Sequence, residues 1–257
     1  MKIIGTWLLF LGVIAVNALA NILPINGYNT GQISAFYPNA FVPAGFTFSI
    51  WGVIYLLLLF YTIGFTYYTL KQEQNPKAFA LIERINIYFL LTCVFNMSWI
   101  VAWHYLQIEL SLVIMLLFLI TLIQLFLKSN TIARDLTLSQ RFILQTPFIV
   151  YLGWISVATI ANTTALLVAY KWTALNIAPV YWSASMILIA LLLAVLMLKK
   201  FKAVPFALVV AWALWGIYHA QGLAAPIIAT LTSGGLGLLI VASLFTFINY
   251  NLKTKIT

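Results

Sequence analysis

Between Lys2 and Lys71 the chain contains no Lys, Arg, Asp, Glu or His. A water-facing domain cannot leave so long a stretch uncharged. Ordinary soluble domains carry roughly 25% charged residues, whereas here 7% of 257 are charged and 64% are hydrophobic. The solvent that accepts such a surface is lipid. Eight apolar spans can be read, near 3–23, 46–70, 83–105, 108–128, 142–168, 177–198, 204–220 and 225–250. Each is long enough, or nearly so, to cross roughly 30 Å of hydrocarbon as a helix. Hydrocarbon offers no partner to backbone N–H and C=O groups, so the expected fold is an all-α integral membrane bundle of about eight transmembrane helices.

The basic residues orient this bundle. Lys2 precedes the first span, and Lys71, Lys77 and Arg84 lie between the second and third. Lys128, Arg134 and Arg141 lie between the fourth and fifth, Lys199, Lys200 and Lys202 between the sixth and seventh, and Lys253 and Lys255 after the eighth. The alternate connections carry only Lys171, one of the 13 Lys and Arg residues. The positive-inside rule makes the crowded side cytoplasmic, with both termini inside, and helical spans point to a bacterial inner (plasma) membrane. Topology and attraction to an anionic membrane surface account for the net charge of +9, and no nucleic-acid partner is expected. Lys2 followed by an apolar run and Ala18-Leu19-Ala20 has the outline of a secretory signal. Cleavage would leave seven helices; the length of the run favours a retained span.

Three segments place Trp or Tyr beside a carboxamide or small residue at helical spacing. They are WGVIY (Trp51 to Tyr55), NMSW (Asn96 to Trp99) and YLGWISVATIAN (Tyr151 to Asn162). Trp51 and Tyr55 stand at i and i+4, Asn96 and Trp99 at i and i+3, and Trp154, Ala158 and Asn162 form an i, i+4, i+8 row. A carboxamide in lipid is costly unless hydrogen-bonded, so these faces turn toward other helices or a cavity. Trp51, Trp99, Trp103 and Trp154 offer broad rigid faces to a flat apolar ligand, and Asn96 and Asn162 could orient its polar groups. The same residues would equally serve to join helices.

Elsewhere the chemistry is sparse. The connection from Leu23 to Gly45 is uncharged and rich in turn residues and aromatics (Tyr28, Phe36, Tyr37, Phe41). It reads either as a lid over the outer mouth or as an interfacial loop. LGVIAVNALAN (Leu11 to Asn21) matches LGWISVATIAN (Leu152 to Asn162) at six positions, the outline of a parallel repeat of four helices plus four. His104 and His219 sit at outer helix ends without a third ligand, which favours interfacial histidines over haem ligands. Gly234, Gly235 and Gly237 read as a helix-packing face. Cys93 is the single cysteine, so no disulfide or cysteine metal cluster can form. No carboxylate stands at mid-membrane for ion coupling, and no catalytic set demands an enzyme.

These motifs resemble those of the translocator protein family, also called TspO/MBR or tryptophan-rich sensory proteins. Pro43, Phe46 and Phe48 precede Trp51, Ile54 and Tyr55, like that family's aromatic first loop entering a W-x-x-L-Y-like second helix. Asn96 and Trp99 match the N-x-x-W of its third helix, and Tyr151, Leu152, Trp154, Ala158, Thr159 and Asn162 the pattern of its fifth. Phe46 stands near a position where the family usually has Trp, and Val150 replaces a proline, with Pro147 one turn earlier. The resemblance covers about residues 1–168 as a five-helix core and leaves 169–257 as three additional transmembrane helices. It implies a ligand site composed of Phe46, Trp51, Tyr55, Asn96, Trp99, Trp103, Tyr151, Trp154, Ala158 and Asn162, for porphyrin, haem or a sterol-like molecule.

The expected role is therefore that of a membrane receptor or sensor for an apolar or tetrapyrrole-like ligand. No cofactor is required; porphyrin or haem enters as ligand. The expected partners are the lipid bilayer, an apolar small molecule and, as a candidate assembly, a homodimer. A carrier for a neutral or amphipathic solute is the alternative, and light- or oxygen-dependent porphyrin breakdown a third reading.

Overall fold

A computed structural model describes residues 2–132, 135–172, 177–222 and 224–254. Of the basic residues that set the expected orientation, Arg134 and Lys255 lie outside this set. The chain forms α1 (Lys2–Ile22), α2 (Thr30–Ala35), α3 (Ile50–Leu70), α4 (Pro76–His104), α5 (Ile108–Ile132), α6 (Leu138–Leu144), α7 (Thr146–Ala169), α8 (Pro179–Phe201), α9 (Val204–Gln221) and α10 (Pro226–Thr254), with short 3-10 turns at Ile25–Gly27 and Gly45–Ser49. No strand occurs among the described residues. Eight of the helices (α1, α3, α4, α5, α7, α8, α9 and α10) are long and apolar enough to cross a membrane.

Helix starts follow proline. Pro76, Pro179, Pro205 and Pro226 occupy the first or second position of their helices, where a missing N–H costs nothing. Helix α4 thus begins at Pro76 rather than near 83, carrying Lys77, Glu83 and Arg84 on an exposed extension. The expected span 142–168 is also divided. Pro147 cannot donate to the carbonyl one turn back, and the chain breaks at Gln145 between α6 and α7. Thr137 and Gln140 cap α6 reciprocally, backbone to side chain, at 3.3 and 3.0 Å.

Two compact units emerge, one comprising Met1–Ile33 and Ser49–Ile155, the other Ser34–Phe48 and Ser156–Thr257. In the first, α4 packs against α1, α3 and α5. Its interior holds Tyr61, Phe89 and Phe148 edge to face, with centroids 4.6–5.9 Å apart. Gly64 lets α3 close on α6, because a Cβ there would stand 2.4 Å from Ile143 Cγ2.

In the second unit α9 packs against α8 and α10. Residues 39–47 lie along α9: the Ala44 N–H donates to Gly216 O at 3.0 Å, Trp212 Nε1 to Thr47 O at 2.9 Å and Gln221 Nε2 to Val42 O at 3.2 Å. Part of the long connection from Leu23 to Gly45 is therefore a packed segment. Gly216 permits this approach, since a Cβ would fall 1.9 Å from Thr47 Oγ1. Of the three glycines read as a packing face, Gly235 alone among the described residues stands where an added Cβ would meet a neighbour, Leu191 of α8, at 2.7 Å.

Candidate functional site

Helical periodicity puts Asn96, Trp99 and Trp103 on one face of α4, Trp51 and Tyr55 on one face of α3, and Tyr151 and Trp154 on one face of α7. In the first unit these faces converge. Trp51 stacks on Tyr55 with centroids 5.6 Å apart and planes 18° from parallel. Trp99 and Trp103 repeat this at 5.8 Å and 20°. Trp51 lies 6.2 Å from Trp99 and presents an edge-to-face contact, at 6.0 Å, to both Tyr151 and Trp154. Two parallel stacks are thereby joined into one aromatic wall through Trp51.

Asn96 stands beside this wall with no solvent exposure. Its Oδ1 accepts from Asn17 Nδ2 at 2.7 Å, and its Nδ2 donates to the Tyr151 hydroxyl at 2.8 Å. One carboxamide therefore ties α1, α4 and α7 together. Sequence reasoning missed Asn17, although it carries the same signal as Asn96: a carboxamide within an apolar span. The Tyr55 hydroxyl is buried next to Asn96 and makes no hydrogen bond of regular geometry.

At the C-terminal end of α4 the wall is anchored to the first connection. Trp103 Nε1 donates to Thr30 O at 3.3 Å, and Asn26 Nδ2 donates to His104 O at 3.1 Å. The His104 ring is fully buried, 3.2 Å from Ile25 O through Nδ1 and 3.2 Å from Thr30 Oγ1 through Nε2. A carbonyl only accepts, so Nδ1 carries the proton, and Nε2 accepts from the Thr30 hydroxyl. His104 is a loop anchor rather than a loose interfacial side chain. Its chemical signal, a histidine next to Trp at a helix end, is too common to reveal that.

Phe46, Ala158 and Asn162 belong to the second unit. Phe46 packs among Trp212, Trp215 and His219 of α9, with centroids 5.7, 4.9 and 5.7 Å away. Asn162 is buried and Ala158 half-buried. Among the described residues no three His, Cys, Asp or Glu side chains gather closely enough to hold a metal.

An integral helical membrane protein with an aromatic–amide cluster at the joint of three helices is the class these features define. The family model of TSPO-like proteins matches residues 2–245, and the chain belongs to that family. The match runs through α8 and α9 into α10. Comparison with curated proteins and with solved structures returns no match.

Proposed function

We propose that this protein is a membrane receptor that takes up a flat, apolar, tetrapyrrole-like ligand such as porphyrin or haem against the wall formed by Trp51, Tyr55, Trp99, Trp103, Tyr151 and Trp154. One observation carries the reading. The Trp51–Tyr55 and Trp99–Trp103 pairs are each within 20° of parallel, a stacking geometry that a planar ring system inserted among them would share. The buried Tyr55 hydroxyl supplies a polar group at the wall, as a few placed polar groups do in apolar ligand sites. Sensing of the ligand is the role that family membership favours. The basic connections orient the chain with both termini in the cytoplasm of a bacterial cell, in the inner membrane.

The test is titration of purified protein with protoporphyrin and haemin, followed by tryptophan quenching. Saturable binding is expected, weakened about 2- to 12-fold by Trp99→Leu, the equivalent of roughly 0.5–1.5 kcal/mol of ring contact. Binding that ignores Trp99→Leu and Trp51→Leu alike removes the wall as the site. Absence of binding, with ligand-driven flux in proteoliposomes, would favour a carrier instead.

A further inference from the structure

The second unit contains a cleft of about 310 Å³, lined by the end of α7, the turn after it, the start of α8 and residues 38–39. We propose that this cleft binds an amphipathic anion, a molecule with one anionic oxygen head and a compact apolar body. Lys171, Trp172 and Trp182 give it its character, and Leu167 and Val168 supply an apolar wall.

The turn after α7 sets two of these groups. Trp172 N–H donates to Leu167 O at 3.0 Å and Lys171 N–H to Val168 O at 2.9 Å, the paired bonds of a Schellman helix end. Lys171 occupies the left-handed position of that motif, with φ 49°. The helix end therefore holds the bases of Lys171 and Trp172 at the rim. Trp172 then meets Trp182 of α8, ring centroids 4.9 Å apart at 51°.

Two polar groups here have no protein partner among the described residues. Among these residues Trp182 Nε1–H is buried without an acceptor, and an indole N–H can only donate. Lys171 makes no ion pair among the described residues, and none of the four Asp and Glu residues of the chain belongs to this unit. The indole N–H calls for an acceptor oxygen and the ammonium for negative charge, and the surrounding rings and aliphatic side chains call for an apolar body. A neutral ligand with a hydroxyl could accept from the indole N–H but would leave the ammonium without a counter-charge. A head bearing an oxyanion answers both, through charge-assisted hydrogen bonds. The cleft size matches the lower range of small-molecule sites, so the body is of the order of a naphthalene ring system or a medium-length acyl chain. A free carboxylate and an anionic phospholipid of the outer leaflet share this chemistry.

The experiment uses full-length protein in phosphatidylcholine nanodiscs, titrated calorimetrically with 2-naphthoate and with its neutral analogue 2-naphthalenemethanol. The naphthoate is expected to bind about tenfold or more tightly than the alcohol. Lys171→Met is expected to erase that preference, and Trp182→Phe to weaken naphthoate severalfold while keeping the ring. Equal binding of the two ligands, or a preference untouched by Lys171→Met, overturns the proposal. Replacing part of the phosphatidylcholine with phosphatidylglycerol separates the sources. Competition seen in the wild type and lost in Lys171→Met assigns the head to a lipid and upholds the site. Equal suppression in both reflects bulk surface charge and counts against it. Protoporphyrin binding, measured in the same variants, is expected to be unchanged, so this proposal and the aromatic-wall proposal fail independently.

Discussion

His104 illustrates how much one side chain can hold in a molecule with few ionisable groups. Its ring nitrogens bond Ile25 O and Thr30 Oγ1, and its backbone carbonyl receives Asn26 Nδ2, so three residues of the first connection converge on the end of α4. Truncation leaves the Ile25 carbonyl and the Thr30 hydroxyl without these partners, at about 1–3 kcal/mol for a buried polar group. His104→Ala is therefore expected to lower the thermal unfolding midpoint in detergent and to open the segment 23–33 to proteolysis. An unchanged cleavage pattern would show that the connection is held by other contacts. Left-handed residues tell a related story. Leu106, Lys171 and Lys202 each end a helix at positive φ, where glycine is the usual choice. None of them announces itself in the sequence, which is why helix ends there could be placed only approximately.

At the scale of elements, the seam between α1 and α4 joins what the sequence shows to what it hides. Lys2 pairs with Glu83, Thr6 with Asn86 and Asn17 with Asn96. Both sets of numbers rise together, so the two helices run parallel, as first and third spans must. Gly12 lies within this seam, where a Cβ would approach Met97 Sδ to 3.1 Å. Interhelical hydrogen bonds in membranes average about 0.6 kcal/mol and reach about 1.7. A double-mutant cycle with Asn17→Ala and Asn96→Ala is expected to give a coupling of this size in reversible unfolding from bicelles. Additive effects would mean that the carboxamide pair contributes no net coupling between the helices. Each of these polar residues was visible as an exception within an apolar stretch; which one faces which was not. A carboxamide's cost in lipid demands a partner without naming it.

For the whole molecule, the eight long apolar helices among the described residues follow from composition and length, because a helix satisfies all its backbone groups within its own segment in hydrocarbon. Orientation rests on charge distribution and is open to direct test. Cys93, the single native cysteine, is buried, so introduced cysteines can be read without a competing thiol. In intact cells, Gln107→Cys is expected to react with an impermeant maleimide and Gln74→Cys only after lysis. The reverse pattern would invert the topology. The aromatic residues of the candidate site divide in the same way. Helical spacing alone put Trp51 and Tyr55, Asn96 and Trp99, and Tyr151 and Trp154 on common faces, since periodicity is local. That Trp51 joins both stacks and that Phe46 nests with Trp212 and Trp215 depends on contacts between segments far apart in the chain. Solvent chemistry, applied residue by residue, dictates the helices and the membrane; the choice of neighbours arises from packing between spans, where small residues such as Gly64 and Gly216 decide which surfaces can touch.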